Sequence, residues 1–219
     1  MGTLRLAHRG DWRVAPENTL PALQAALAVP GCDGLEFDVR VAADGVPVLL
    51  HDETLARVQG RPERVDALSS AALAELGVPT LADALTALPR SAFLDVELKG
   101  LHDRAVVEAL AAGRGVDLRR AVVSSFEAET LERIAALAPT WPRWLNADDL
   151  SPATIAAAHD LGCRGIAAEW RAIDDAAMRR ARAAGLEVAA WTVRRRSTYA
   201  RLARLGVAAV CVEAAALDG

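Results

Sequence analysis

The chain has 219 residues, 53% of them hydrophobic and 25% charged, with a formal net charge of −4. That size can bury a large core, and the acidic balance, with no basic run longer than the three arginines at 194–196, offers no electrostatic footprint for nucleic acid or an anionic membrane. No uncharged apolar run approaches the ~18 residues that span a bilayer, and no basic segment leads into a long apolar one, so the expectation is a cytoplasmic protein acting on a small molecule, with no nucleic-acid partner and no membrane span.

LRLAH at 4–8 begins a series of short β-rich runs that alternate with helical patterns. After it come GLEFDV (34–39), AFLDVEL (92–98), AVVSS (121–125), RWLNA (143–147), GIAAE (165–169), EVAAWTV (187–193) and AAVCVE (208–213). Helix signals lie between them. The segment at 18–27 offers Asn18 or Thr19 as a cap with Pro21 in the first turn, and the one at 151–162 offers Ser151, Pro152 and a closing Gly162. Gly162, Gly185 and Gly206 each separate a helix from the next strand, as a left-handed C-cap requires. Continuous apolar strands covered on both faces imply a parallel sheet, and eight such units predict one (β/α)8 TIM barrel spanning 1–219 as a single domain. An open doubly wound sheet is the competing arrangement. Cys32, Cys163 and Cys211 are scattered and outside any CxxC spacing, so they read as reduced core residues.

One stretch breaks the alternation. In GLEFDVRVAADGVPVLLHDE (34–53), two strand-like runs meet at Asp44-Gly45, a tight-turn dipeptide, so a small β-hairpin extends from the second strand. With the turn centred between Asp44 and Gly45, His51 is expected opposite Asp38 and on its face, and Glu36 shares that face two residues earlier. The expected cluster of Glu36, Asp38 and His51 then sits at the carboxyl end of a barrel strand, where barrel active sites lie.

Other strand ends deliver similar chemistry. His8 and Arg9 follow the first strand, while Glu97 and Lys99 end the third parallel strand two residues apart and on one face. Three carboxylates converging on one mouth repel unless a cation lies between them, and oxygen ligands favour Mg²⁺ or Ca²⁺ over zinc. Two histidines, each with a reference pKa of roughly 6.5, suit a base and acid pair near neutrality. Arg9 and Lys99 bring positive charge for a phosphate. The competing structural readings pair Arg9 with Glu17 as an ion pair and place Trp191 in the barrel core. His102 and His159 fall in helical contexts and are read as non-catalytic.

The segments AHRGDWRVAPENTLPAL, LEFDVRVAADGVPVLLHDETLARVQG, LDVELK, SSF and AWTV resemble, in order and spacing, the glycerophosphodiester phosphodiesterase family over nearly the whole chain. The resemblance implies a (β/α)8 barrel that uses one divalent cation to hydrolyse glycerophosphodiesters to glycerol 3-phosphate and an alcohol. It implies His8 and His51 as the catalytic pair, Glu36, Asp38 and Glu97 as metal ligands, and Arg9 and Lys99 as phosphate contacts. Glu17 then supports the site and Trp191 lines the substrate pocket. Two positions depart from the family pattern: Arg194 stands where Asn is usual, and Val212-Glu213 where Thr-Asp is usual. Both affect pocket polarity and substrate choice.

Two further functional readings compete, a phosphodiesterase for lysophospholipids or other bulky diesters and a non-catalytic phosphate-binding barrel. Since no serine or cysteine stands in a nucleophile motif, the nucleophile is water or the substrate hydroxyl next to the ester oxygen, and intramolecular attack by that hydroxyl gains from its effective concentration. The sequence carries no signal for an oligomeric state.

Overall fold

Apolar residues on both faces of a strand leave no side that can stay in water, and these strands solve the problem by closing into a ring. The computed structural model describes residues 2–100 and 104–219. Its strands are β1 (Leu4–His8), β2 (Gly34–Val41), β3 (Pro47–Leu49), β4 (Phe93–Leu98), β5 (Ala121–Ser125), β6 (Arg143–Ala147), β7 (Gly165–Glu169), β8 (Glu187–Val193) and β9 (Ala209–Val212). Eight of them form a closed parallel barrel in the order β1-β2-β4-β5-β6-β7-β8-β9, with β9 returning to β1. β3 lies outside the ring, antiparallel to β2. The fold is thus a TIM barrel with flanking helices and a hairpin after its second strand.

Local sequence explains the punctuation. Thr19 caps the helix Leu20–Leu27 by accepting from the Ala22 amide, and Ser151 caps Pro152–Asp160 by accepting from Thr154. Gly162, Gly185 and Gly206 take φ values of 62°, 75° and 76° at the helix-to-strand joints.

Strand alternation separates two environments. Leu35, Phe37 and Val39 of β2 face outward into the main core, which they share with Leu23 and Ala26 of the first helix. A second core fills the barrel itself, built from Leu6, Val122, Trp144, Ala167, Ala189, Ala209 and Cys211. Phe93 and Trp144 stack in that interior with ring centroids 6.1 Å apart, sealing it toward the amino-terminal ends of the strands. Polar residues are left for the other end. The three cysteines are free thiols. His159 is exposed near Asp160, and His102 lies outside the described residues.

The hairpin register differs from the expectation by one residue. Val39 pairs with Leu49, Arg40 with Val48 and Val41 with Pro47, and the Leu50 amide donates to the Asp38 carbonyl, so Leu50 and not His51 stands opposite Asp38. The reason is the loop. Ala43, Asp44 and Gly45 form a three-residue connection with Gly45 at φ 79°, whereas the expected register assumed a two-residue turn. His51 therefore leaves the ladder beyond β3. The chain after it, through the short helices Ala56–Gln59 and Ser70–Glu75, packs on the hairpin around Leu50, Leu55, Val65 and Leu73. Among the described residues no helix is long and apolar enough to cross a membrane.

Two glycine substitutions separate crowding from backbone conformation. A Cβ on Gly34 would lie 2.0 Å from the Phe93 carbonyl oxygen, whereas one on Gly45 meets nothing but must keep a left-handed backbone. Gly34→Ala is expected to cost about 3 kcal/mol of overpacking and Gly45→Ala about 1 kcal/mol, measured as shifts of the urea unfolding midpoint. Equal shifts for the two would contradict this account of the β2–β4 approach.

Candidate active site

The site begins where β1 releases the edge of β2. β1 pairs with β2 only as far as His8 opposite Glu36, after which the Arg9 amide donates to the Glu36 carbonyl and the chain turns away. β3 takes the same edge from Val39 onward. Arg9 and Asn18 both adopt positive φ, 59° and 57°, an uncommon conformation for side-chain-bearing residues that is typical of functional turns. The Asn18 amide donates to the Arg9 carbonyl and its side chain donates to Asp38 at 2.8 Å. Thr19 thus provides the helix cap, and Asn18 is left to hold a carboxylate.

Parallel register then gathers acids inside the mouth. Glu36 stands beside Asp95 and Asp38 beside Glu97 on adjacent strands. Glu36, Asp38 and Glu97 each offer one oxygen, all within 4.8 Å of one another, and all three side chains are almost completely buried. Burial pushes the Glu36 carboxyl well above the usual range, and the negative charges of Asp38 and Glu97 push it further. Burial and the Asp38 charge raise Glu97 as well. Asp38 goes the other way: burial opposes its ionisation, but Arg9 and Lys99 outweigh it. Asp95 is pushed up to about 7, because burial exceeds the effect of the 2.6 Å hydrogen bond from Ser124.

The cations expected for phosphate are found among these acids. Arg9 Nε lies 2.9 Å from Asp38 and Nη1 lies 3.0 Å from Glu17, so the ion pair weighed from sequence forms. Lys99 Nζ lies 3.2 Å from Asp38 and closer still to Glu97. Arg57, from the segment after the hairpin, bridges Glu17 at 2.7 Å and Asp52 at 2.6 Å.

Each histidine rests on its own carboxylate. His8 Nδ1 lies 2.5 Å from Glu213 Oε1, and its Nε2 lies 3.7 Å from Glu36. His51 Nδ1 lies 2.6 Å from Asp52. A carboxylate acceptor at Nδ1 fixes that nitrogen as the donor and leaves Nε2 for other chemistry. Glu213 and Asp52 are both held to about 2, since hydrogen bonds from His8 and Arg194, or from Arg57 and His51, outweigh the cost of burial. Burial lowers the pKa of His51.

His8, Arg9, Glu36, His51, Glu97 and Lys99 line one cavity of about 180 Å³. Trp191 forms part of its wall, with its indole N–H on the Ala167 carbonyl at 2.8 Å and its ring edge-on to Phe126 at 5.6 Å. Glu17 lies behind Arg9, away from the lining. Sequence reasoning missed Asp95, Asn18, Asp52 and Phe126 as parts of this site, and placed Glu213 at the pocket without its pairing to His8. Asp95 was detectable, because it shares the strand face of Glu97 and Lys99; the pairing of Glu213 had no local signal, as its partner His8 is 205 residues away.

Residues 8–217 match the Glycerophosphoryl diester phosphodiesterase family. A Glycerophosphodiester phosphodiesterase of Caldanaerobacter subterraneus subsp. tengcongensis is 49% identical over 26% of this chain, a match that covers 23% of that relative's length. Among solved structures, a glycerophosphodiester phosphodiesterase from Agrobacterium tumefaciens superposes with a TM-score of 0.81 at 28% identity, covering 99% of this chain and 98% of the other. An Oleispira antarctica phosphodiesterase in complex with the product sn-glycerol-3-phosphate gives 0.79 at 27% identity, over 96% and 93%. With nearly its whole length matched and the acids, histidines and cations gathered at the barrel mouth, the chain belongs to the glycerophosphoryl diester phosphodiesterase family.

Proposed function

We propose that this protein hydrolyses glycerophosphodiesters to glycerol 3-phosphate and an alcohol, with His8 and His51 as the proton-transferring pair and Glu36, Asp38 and Glu97 as ligands of one divalent cation, Mg²⁺ or Ca²⁺. The carrying observation is the shared cavity, in which two histidines flank buried acids beside Arg9 and Lys99. The Oleispira relative with glycerol 3-phosphate supports the choice of product. The small volume of the cavity, about 180 Å³, favours a compact diester over a lysophospholipid, whose chain needs a long apolar groove.

The donor set fits a hard cation. Both Glu36 oxygens are buried and neither has a hydrogen-bond partner, an arrangement costly for a carboxylate unless a cation completes it. A divalent cation held by these three carboxylates would supply positive charge to the phosphate oxygens, on which negative charge builds in the transition state.

The protein's own groups do the rest. Arg9 and Lys99, ordered by their carboxylate partners, orient the phosphate. One histidine takes the proton of the attacking hydroxyl and the other gives a proton to the departing alcohol oxygen as its bond to phosphorus breaks. Glu213 and Asp52 fix the two rings and stabilise the imidazolium that each step creates. Attack by the substrate's neighbouring hydroxyl gives a five-membered cyclic phosphate, which water then opens to glycerol 3-phosphate, with the histidines exchanging roles.

Incubation with glycerophosphodiesters and Mg²⁺ or Ca²⁺ should release glycerol 3-phosphate, and chelation should abolish release. Absence of both product release and cation dependence would refute the assignment. His8→Ala and His51→Ala should each lower the rate by about 10² to 10⁴, with the double variant little worse than either single one. The pH profile should have two limbs, and the limb that disappears in His51→Ala should lie below the ordinary imidazole value of roughly 6.5, because burial disfavours its charged form.

Cation binding has a readout apart from turnover. At 100 times its dissociation constant the cation should stabilise the fold by about 2.7 kcal/mol, seen as a rise in Tm. Glu36→Gln should lose that rise without loss of metal-free stability, since it replaces a buried carboxyl whose oxygens have no hydrogen-bond partner. A Tm indifferent to Mg²⁺ and Ca²⁺ in the unaltered protein would remove the cation from the account.

The nucleophile is tested with a diester whose hydroxyl next to the ester oxygen is replaced by hydrogen. It should bind yet barely turn over, while the normal substrate should yield trappable cyclic phosphate. Equal turnover of the two would make water the direct nucleophile.

A further inference from the structure

A second cavity, of about 410 Å³, adjoins the catalytic one. Its walls include Glu169, Trp170, Arg171, Thr192, Arg194 and Arg195, and Thr192 lines both cavities. The space therefore opens beside the site where the phosphodiester is cleaved, at the carboxyl ends of β7 and β8. Three arginines against one glutamate give these walls a formal charge of +2 in a chain whose net charge is −4.

The arginines are arranged rather than merely present. Arg171 is anchored twice to Glu169, through its guanidinium and its backbone amide, each at 2.6 Å. Its guanidinium also stacks 4.3 Å from the centre of the Trp170 ring. Arg194 commits Nε to Glu213 at 2.8 Å, which leaves the terminal nitrogens of its fork for another acceptor. Arg195 has no ion pair among the described residues. Two anchored guanidinium groups with spare donors, and a third without a carboxylate, form a surface suited to a carboxylate or phosphate.

We infer that this cavity receives the alcohol side of the diester, and that the preferred head group carries an anionic substituent, a second phosphate or a carboxylate. The inference rests on the proposed hydrolysis. It also gives a role to Arg194, one of the two places where the sequence departs from the family pattern it resembles. A cationic head group such as choline would meet a like charge there, and a neutral one such as glycerol would leave the arginine donors to water.

The test compares kcat/KM for three substrates: glycerophosphocholine, glycerophosphoglycerol, and the glycerophosphoglycerol analogue with a second phosphate on its head group. Glycerophosphoserine serves as the carboxylate arm. The phosphate-bearing diester should exceed the choline diester by about tenfold at low salt, and the ratio should shrink as salt rises, because these arginines are largely exposed. Arg171→Glu and Arg195→Glu should each reduce the ratio toward one. Arg194→Ala also frees Glu213 and so slows every substrate, and the ratio isolates its effect on selectivity. Calorimetric binding of the same diesters to the His51→Ala variant makes the comparison without turnover. Hydrolysis of all four at equal kcat/KM, or a preference for choline, would overturn the head-group inference while leaving the hydrolase reading intact. Release of glycerol 3-phosphate from none of them would overturn the hydrolase reading, and equal binding in calorimetry would then overturn this one separately.

Discussion

Three carboxylates within a few ångströms of one another inside a barrel cannot all ionise without help. Burial and mutual repulsion both oppose the charged forms of Glu36 and Glu97, and only Asp38, touched by Arg9, Lys99 and Asn18, is held below its ordinary range. Much of the surrounding structure meets that constraint. Arg9 adopts a left-handed backbone that sends its guanidinium back over Asp38. Lys99 leaves the end of β4 on the same face as Glu97 and brings its ammonium between two acids. Even so, neither Glu36 oxygen has a hydrogen-bond partner, and the three acids form a cluster that could hold a cation.

From Asp38 a line of ion pairs runs through Arg9, Glu17, Arg57 and Asp52 to His51. It crosses from the turn after the first strand to the segment after β3, which share no strand pairing. Partly exposed pairs of this kind contribute roughly 0–1 kcal/mol each to stability, so their main consequence is geometric. They fix where His51 stands, although it has left the β-ladder and no strand register holds it. A histidine at a loose strand end needs such bracing if its ring is to meet substrate reproducibly.

The sequence was most legible where one residue type had one physical meaning. Apolar runs covered on both faces became the eight ring strands, and β1, β5, β6, β7 and β8 have the boundaries their sequences suggested. Alternation along LDVELK also put Glu97 and Lys99 on one face correctly, and Asp95 belonged to the same pattern. The hairpin register was less legible, because Asp-Gly fits both a two-residue turn and a three-residue loop with glycine third; the choice moves every later pairing by one. The supporting carboxylates were least legible. Glu213 reaches His8 only because closure of the barrel sets β9 beside β1, and nothing near either residue in the chain announces the meeting.

That closure also explains why the two histidines sit in different surroundings. His51 is braced by charges that belong to the site itself, so its support and the acid cluster stand or fall together. His8 is braced by Glu213, whose other oxygen faces Arg194, a largely exposed side chain on the wall of the neighbouring cavity. Arg194 gives Nε to Glu213 and keeps its terminal nitrogens for the neighbouring cavity, so one guanidinium serves both the carboxylate under His8 and that cavity's wall. A change of residue at position 194 therefore acts on the wall of the second cavity and on the support of His8 together.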